Sequence, residues 1–557
     1  VLAQPADVDR VLRAALALDA FNARALRALL RRIAAEPADR DDTATRARRR
    51  EMASLLDRLA DVEKEPEQKT SILLELAEVH VRLGDMASAE RALVEAVARS
   101  PAHARAFTRL ASLFRRAERT DHVGHARALA AVVAMGQQIG HLDARWFATL
   151  GQIEIHNLSR SRDGIAHLQR AVALDPTLYE TRFELATAYT HAGANDEATR
   201  VLVAMLAPNP PSPTPMLSIA DPAAGVALLE KTLTGERRPD EAIVAGELRA
   251  IAGELDDARR SWLRARRLPH TEGAPGALNR QVLVTHVLPA EGRHILLEVA
   301  AAISGVEAKL LRGDLGELGL SPRDRVGPRA GHPTRALLDR VARQMGVEET
   351  ELAISSRATK VRVLAQDVPW VVVPASFVQR DESAQLAGLA RIMARIAYGT
   401  PWREELTPEA AQALLVAGAR QVVPKYGPVD GDAASAKLVA QHEATLSRVL
   451  SRRQRKLLEE LAPHITSAQA RLPPAAEFAD ALARAELRAA FVVTGDLLTT
   501  VGEVRTFDAA LDREAGSPGG GALAAVLDHP LAGDVARFAL TAEATALRRR
   551  LGSIWVR

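Results

Sequence analysis

The chain has 557 residues, 47% hydrophobic and 26% charged, with 73 Lys and Arg almost balanced by 70 Asp and Glu. That length exceeds what one hydrophobic core usually serves, so at least two structural units are expected, and the charge balance makes no case for a nucleic-acid partner. The absence of cysteine excludes disulfides, thiol catalysis and cysteine-based zinc sites, and with only 3% aromatics the core must be filled by Ala, Leu and Val, which suits closely packed helices.

The first segment, ALALDAFNARALRALLRRIAAE, reads as the end of one helical unit and the start of another. The helical array is therefore expected to begin before residue 1; that residue is Val rather than Met, so a fragment or a processed form is expected and a removed targeting segment stays open. No apolar run reaches the roughly 18 to 20 residues that a bilayer crossing needs. A cytoplasmic location is expected. Basic clusters occur at Arg46, Arg48, Arg49 and Arg50, at 259–267, at Arg452, Arg453, Arg455 and Lys456, and at 548–550. Each lies in a helical pattern with acids nearby, so a solvated helix face is expected rather than a phosphate-binding stripe.

In SILLELAEVHVRLGDMASAERALVEAVARSP, Leu73, Leu76, Ala77 and His80 recur at helical spacing. Gly84-Asp85 breaks the helix, Ala89, Leu93 and Ala96 form the inward stripe of a second one, and Pro101 ends it. In ETRFELATAYTHAGANDEATRVLVAML the same slots hold Leu185, Ala186, Tyr189, Gly193, Ala198, Leu202 and Met205. Small residues at Ala77, Ala89, Ala96, Ala186 and Ala198 let two antiparallel helices approach, and the glycine serves the tight turn between them. Two weaker copies lie between. One carries Leu110, Ala111 and Phe114 with a degenerate second helix. The other carries Leu150-Gly151, Ala171 and Pro176, with one residue inserted in its turn. After PNPPSPTP (208–215), too proline-rich for a helix, Gly253, Ala258, Trp262 and Ala265 point to one more helix pair.

This pattern resembles the tetratricopeptide repeat, with its period of about 34 residues, over residues 1–268. The resemblance implies a superhelix of helix pairs whose concave groove holds a peptide or partner helix, although an array serving only as a spacer is the alternative. The expected division is a repeat array over 1–207, a proline-rich linker with further helices over 208–268, and a different domain over 277–557.

That last part changes character. NRQVLVTHVLP, with Val282, Val284 and Val287, predicts a strand. A helix around 292–304 follows, then the amphipathic helix PTRALLDRVARQMGV. ETELAISS, ATKVRVLA and PWVVVPASF predict three strands, the last buried, and from Asp381 the chain is again mostly helical. The fold class is mainly α: a tetratricopeptide-like α-solenoid followed by a helix-rich α+β domain with a small sheet.

One element order bears on chemistry. The strand PWVVVPASFVQ leads through Asp381-Glu382 into SAQLAGLARIMARIAYG, and ARAELRAAFVVTGDLL follows about ninety residues later. This order resembles zinc metallopeptidases of the gluzincin type, related to the CAAX-prenyl endopeptidases. In these a strand and an acidic step precede the HExxH helix, and a later ExxAD helix supplies the third ligand. Laid on that pattern, Arg391 and Arg395 stand at the two histidines, Ile392 at the catalytic glutamate, Glu486 at the ligand glutamate and Ala490 at the aspartate. Two imidazoles four residues apart grip zinc from one helix face, and the glutamate between them activates the bound water. Arginine stays protonated and cannot ligate zinc, and isoleucine cannot act as a base. The resemblance therefore implies a peptidase fold without its metal, of the kind appended to some large bacterial tetratricopeptide proteins. If that fold is kept, Arg391 or Arg395 should pair with Glu486 across the vacated site. An unrelated α+β domain is the alternative, with Leu386, Leu389, Met393 and Ile396 simply a core face.

Other chemistry is thin. His442-Glu443 has no second histidine and reads as an exposed pair. GSPGGGAL (516–523) lacks the Lys-Ser/Thr ending of a phosphate loop and reads as a flexible loop. Gly495-Asp496 reads as a helix end followed by a cap. No cofactor and no metal are expected. Two function classes follow: a non-enzymatic scaffold binding a protein or peptide partner, or a divergent hydrolase using carboxylates among Asp381, Glu382, Glu404, Glu405 and Glu486.

Overall fold

The computed structural model describes residues 5–35, 43–100, 103–115, 119–206, 222–253, 273–306, 315–364, 368–427, 433–467, 472–516 and 521–554, with single residues 258, 261, 310 and 366. The chain forms two compact units, Val1–Ala198 and Thr199–Arg557.

The first unit is a tetratricopeptide-like α-solenoid. Its helices are α1 (Pro5–Leu18), α2 (Ala23–Ala35), α3 (Thr43–Val62), α4 (Pro66–Leu83), α5 (Met86–Arg99), α6 (Ala104–Leu113), α7 (His122–Ile139), α8 (Ala144–His156), α9 (Ser161–Leu174) and α10 (Tyr179–His191). α11 (Asn195–Met205) runs across the boundary. Each helix packs on its neighbours in sequence, as a stacked array requires. The α4–α5 pair shows why. Gly84 takes a left-handed conformation at the end of α4, and Asp85 caps α5 by accepting from the Ser88 amide. Leu76, Ala77, Ala89 and Ala96 are buried where the two helices meet, and so are Leu185, Ala186, Tyr189 and Ala198 in the later copy. Gly193 repeats the left-handed turn. Pro101 and the 208–215 tract lie outside the described residues.

The weaker copies keep the architecture by other means. α6 is short and ends at the buried Phe114, whose ring stacks on His125 of α7 at 5.5 Å. The helix with the degenerate pattern, α7, is regular over 18 residues. In the α8–α9 pair the close approach falls on two glycines. A Cβ on Gly151 would lie 2.8 Å from the Gly164 carbonyl oxygen, and one on Gly164 equally close to that of Gly151.

The second unit is α+β and mostly helical. It opens with α12 (Pro222–Gly235) and α13 (Pro239–Ile251), which pack on each other. This pair precedes the one expected around Gly253 to Ala265, where Trp262 and Ala265 are outside the described residues. The strand expected at 282–287 is absent. Arg280–Val282 is helical and runs into a π-helical turn, Leu283–Val287. Asn279 starts it by accepting from the Val282 amide, and Leu283 and Val287 are buried at helical spacing.

α14 (Ile295–Ala302) and α15 (Pro333–Met345) follow, then the sheet: β1 (Glu351–Ser355), β2 (Arg362–Leu364) and β3 (Trp370–Pro374). β3 is central and wholly buried, parallel to β1 and antiparallel to β2. The remaining helices are α16 (Glu382–Ala397), α17 (Pro408–Arg420), α18 (Ala433–Val449), α19 (Arg452–Ser467), α20 (Ala475–Thr494), α21 (Leu497–Phe507), α22 (Ala509–Ala515), α23 (Gly521–Asp528), α24 (Ala532–Ala539) and α25 (Ala542–Leu551). α16 packs on α15, α20 and α21, and α20 packs in turn on α17, α21, α24 and α25.

Candidate functional site

β3 ends at Pro374, and a short turn leads to Asp381, whose carboxylate accepts from the Ala384 amide and starts α16. From Ser383 to Arg395 nearly every residue of α16 is buried. A helix surrounded on all sides must place any charged side chain against a partner. Arg391 and Arg395, one turn apart, both face the same place.

Arg395 is fully buried, and Glu486 on α20 is 1% exposed. The Arg395 Nε donates to Glu486 Oε1 at 3.0 Å, and Nη2 donates to Oε2 at 2.8 Å. Arg403, in the turn after α16, makes a second bidentate contact with the same carboxylate at 2.7 and 2.9 Å. Arg395 Nη2 also reaches Glu404 at 2.8 Å. Arg391 donates to Glu503 on α21 and to Glu404, each at 3.3 Å, and lies 4.0 Å from Glu486. Its guanidinium sits over the Phe507 ring. Arg380 closes the far side on Glu503 at 3.3 Å. The structure thus brings Arg391, Arg395 and Glu486 together. Ile392 and Ala490 are buried in the apolar core.

Burial alone would push the Glu486 carboxyl up. The Arg395 and Arg403 charges outweigh it and hold the group down at about 2. Glu404 is likewise lowered to about 2, with Arg395, Arg391 and Lys360 overcoming its burial. Burial opposes the Arg395 charge, but Glu486 and Glu404 keep it protonated beyond the ordinary arginine range. Such a site exchanges no proton near neutrality. It does not fit a metal cation either, because its donors are spent on guanidinium groups, which occupy the cation's place. Among the described residues no group of three or more His, Asp or Glu is arranged to hold a metal ion.

Of the other carboxylates named from the sequence, Asp381 is a helix cap and Glu382 pairs with Arg340 at 3.0 Å. Burial raises Glu405. Sequence reasoning missed Arg380, Arg403 and Glu503. Arg403 lies in an irregular turn without periodicity, and Glu503 lies inside α21, where the apolar spacing of Leu497, Val501 and Val504 does not single it out.

Two expectations about charge need correction. Arg548 belongs to no solvated face: it is fully buried, stacked over Phe491 at 5.2 Å, with Nε donating to the Ser553 carbonyl at 3.2 Å. His442 and Glu443 are half-buried rather than exposed. Gly495 does end α20 in a left-handed conformation, and Asp496 caps α21. Residues 517–520 of the glycine-rich tract lie outside the described residues.

In the first unit a groove of about 370 Å³ opens between α4, α5 and α6. Leu74, Val81, Met86, Leu93 and Leu113 line it, with Glu78 and Arg109 paired at 3.0 Å on its wall. Val81 and Met86 are 42% and 50% exposed.

No family model matches the chain, and no curated protein matches it. Among solved structures, a MamA protein is 17% identical over 36% of this chain and 97% of its own, with a TM-score of 0.23. MamA 41-end from Desulfovibrio magneticus RS-1 is 22% identical over 33% of this chain and 93% of its own, with a TM-score of 0.19. BtubC (BKLC) from P. vanneervenii is 18% identical over 38% of this chain and 96% of its own, also at 0.19. Likenesses this slight carry no argument, and the solenoid rests on the chain's own helix pairs.

Proposed function

We propose that the chain is a non-enzymatic scaffold. The repeat unit seats a segment of a partner protein in the groove between α4, α5 and α6, and the second unit acts as a docking or regulatory domain of pseudoenzyme type. The observation carrying this reading is the apolar groove itself. Val81 and Met86 stay half in water beside the buried Leu74 and Leu93 and the half-buried Leu113, and a contiguous apolar patch rimmed by charge is what a partner covers. The pseudoenzyme part is supported by the order of β3, cap, α16 and α20, and by a charge cluster in which arginine-bound carboxylates have no proton to move. Among the described residues no helix is long and apolar enough to cross a membrane.

The test is affinity capture on the full chain, followed by the same capture with Val81→Glu and Met86→Glu combined. Both positions are exposed, so the variant keeps its fold, and the captured protein should be lost. Capture unaffected by the double substitution would remove the groove from the reading. A hydrolase activity abolished by Glu486→Gln in a folded protein would establish the alternative, a divergent hydrolase.

A further inference from the structure

A second and larger cleft in the first unit, about 1100 Å³, opens between α3 and α5 over α4, and the partner reading above does not use it. Its floor is apolar: Leu73, Leu76 and Ala92 are buried there. Its walls carry charge. Arg46 and Arg50 project from one face of α3, one turn apart, Arg82 from the end of α4 and Arg91 from α5.

Of the acids that line this cleft, Glu95 is neutralised by basic side chains. Glu95 is held by Arg99 at 2.8 Å and Lys69 at 3.4 Å, whereas Asp85 caps α5 and keeps its charge, with His80 at 3.5 Å and Arg91 nearby. Asp57 has no ion-pair partner among the described residues. On the basic side, Arg91 donates to the Ser88 hydroxyl at 2.9 Å and, among the described residues, has no carboxylate within ion-pair distance. Among the described residues neither Arg50 nor Arg82 has a carboxylate within ion-pair distance. The cleft therefore offers three guanidinium groups outside any carboxylate ion pair, those of Arg50, Arg82 and Arg91, against two carboxylates, Asp57 and Asp85, above an apolar floor.

From this imbalance we infer that the α3–α5 cleft binds an acidic peptide segment of a partner protein, whose Asp or Glu side chains pair with Arg50, Arg82 and Arg91. Guanidinium matches carboxylate in shape and bidentate geometry. A nucleic acid fits less well. No Phe, Tyr or Trp side chain lines the cleft to stack a base, and Asp57 and Asp85 in its walls can accept from the backbone N–H groups of a peptide, which a phosphate backbone lacks.

Fluorescence anisotropy of the full chain with labelled oligoglutamate, labelled oligoglutamine and a labelled single-stranded DNA tests this. Oligoglutamate alone should bind saturably, and more weakly as salt is added. Combining Arg50→Glu with Arg91→Glu, both at exposed positions, should weaken that binding on the order of tenfold or more. Combining Arg162→Glu with Arg170→Glu, on the exposed side of α9, should change it by no more than about twofold. Equal losses in the two double variants would show diffuse attraction and overturn the inference. So would failure of oligoglutamate to bind, equal binding of oligoglutamine, or a preference for DNA. A captured partner lost on Val81→Glu with Met86→Glu but kept on Arg50→Glu with Arg91→Glu would overturn this inference alone and leave the scaffold reading standing.

Discussion

Arg395 and Glu486 show what a buried charge demands of its surroundings. Removing two ions from water is so costly that an ion pair of this kind is weak evidence of net stability, yet breaking one strands the partner. Glu486 accepts four hydrogen bonds from two guanidinium groups, so Glu486→Gln should destabilise the second unit by about 3–5 kcal/mol. Arg403→Met should cost less, because Arg395 keeps both of its bonds to Glu486. Denaturant titration followed by tryptophan fluorescence measures both, and a loss under about 1 kcal/mol for Glu486→Gln would mean that the cluster does not hold α16 to α20. The core of this cluster was legible in the sequence, because Arg391 and Arg395 share a helix face and Glu486 lies on another apolar helix. Its rim was not, since Arg403 comes from a turn in which no periodicity points inward.

Elements were legible where periodicity and caps agree, as in α4 and α5, and illegible where β-branched residues competed with a cap. Val282, Val284 and Val287 look like strand residues, but the Asn279 cap and the spacing of the buried Leu283 and Val287 decide for a helix. A π-helical turn is beyond a reading based on the 3.6-residue period. The α4–α5 crossing makes the opposite case. Ala89 is fully buried there, so Ala89→Leu should overpack it and cost about 1–3 kcal/mol. An unchanged melting temperature of the first unit in that variant would remove Ala89 from the crossing. The α8–α9 pair reaches the same closeness with Gly151 and Gly164, although the residue inserted in its turn weakens its repeat pattern.

At the scale of the whole molecule the two units differ in how they answer acid. Glu486 and Glu404 are lowered from 4.5 to about 2, so the stability they contribute is fully present above 4.5 and is lost as pH falls toward 2. In the first unit the lowered carboxylates, Asp9 and Asp85, are surface groups. Acid titration should therefore melt the second unit first, and Glu486→Gln should flatten its pH dependence; a single transition shared by both units would contradict this. The units also differ in when they can be completed. Within the second, Asp240, Glu241 and Glu247 of α13 are buried with Arg548 among the charges around them, and Arg549 pairs with Asp240 across 309 residues of chain. During synthesis the ribosome must deliver α25 before α13 can settle with its acids compensated. The solenoid, built from neighbours in sequence, has no such wait, so a message cut short of residue 542 would yield a finished repeat array tethered to a domain that cannot close.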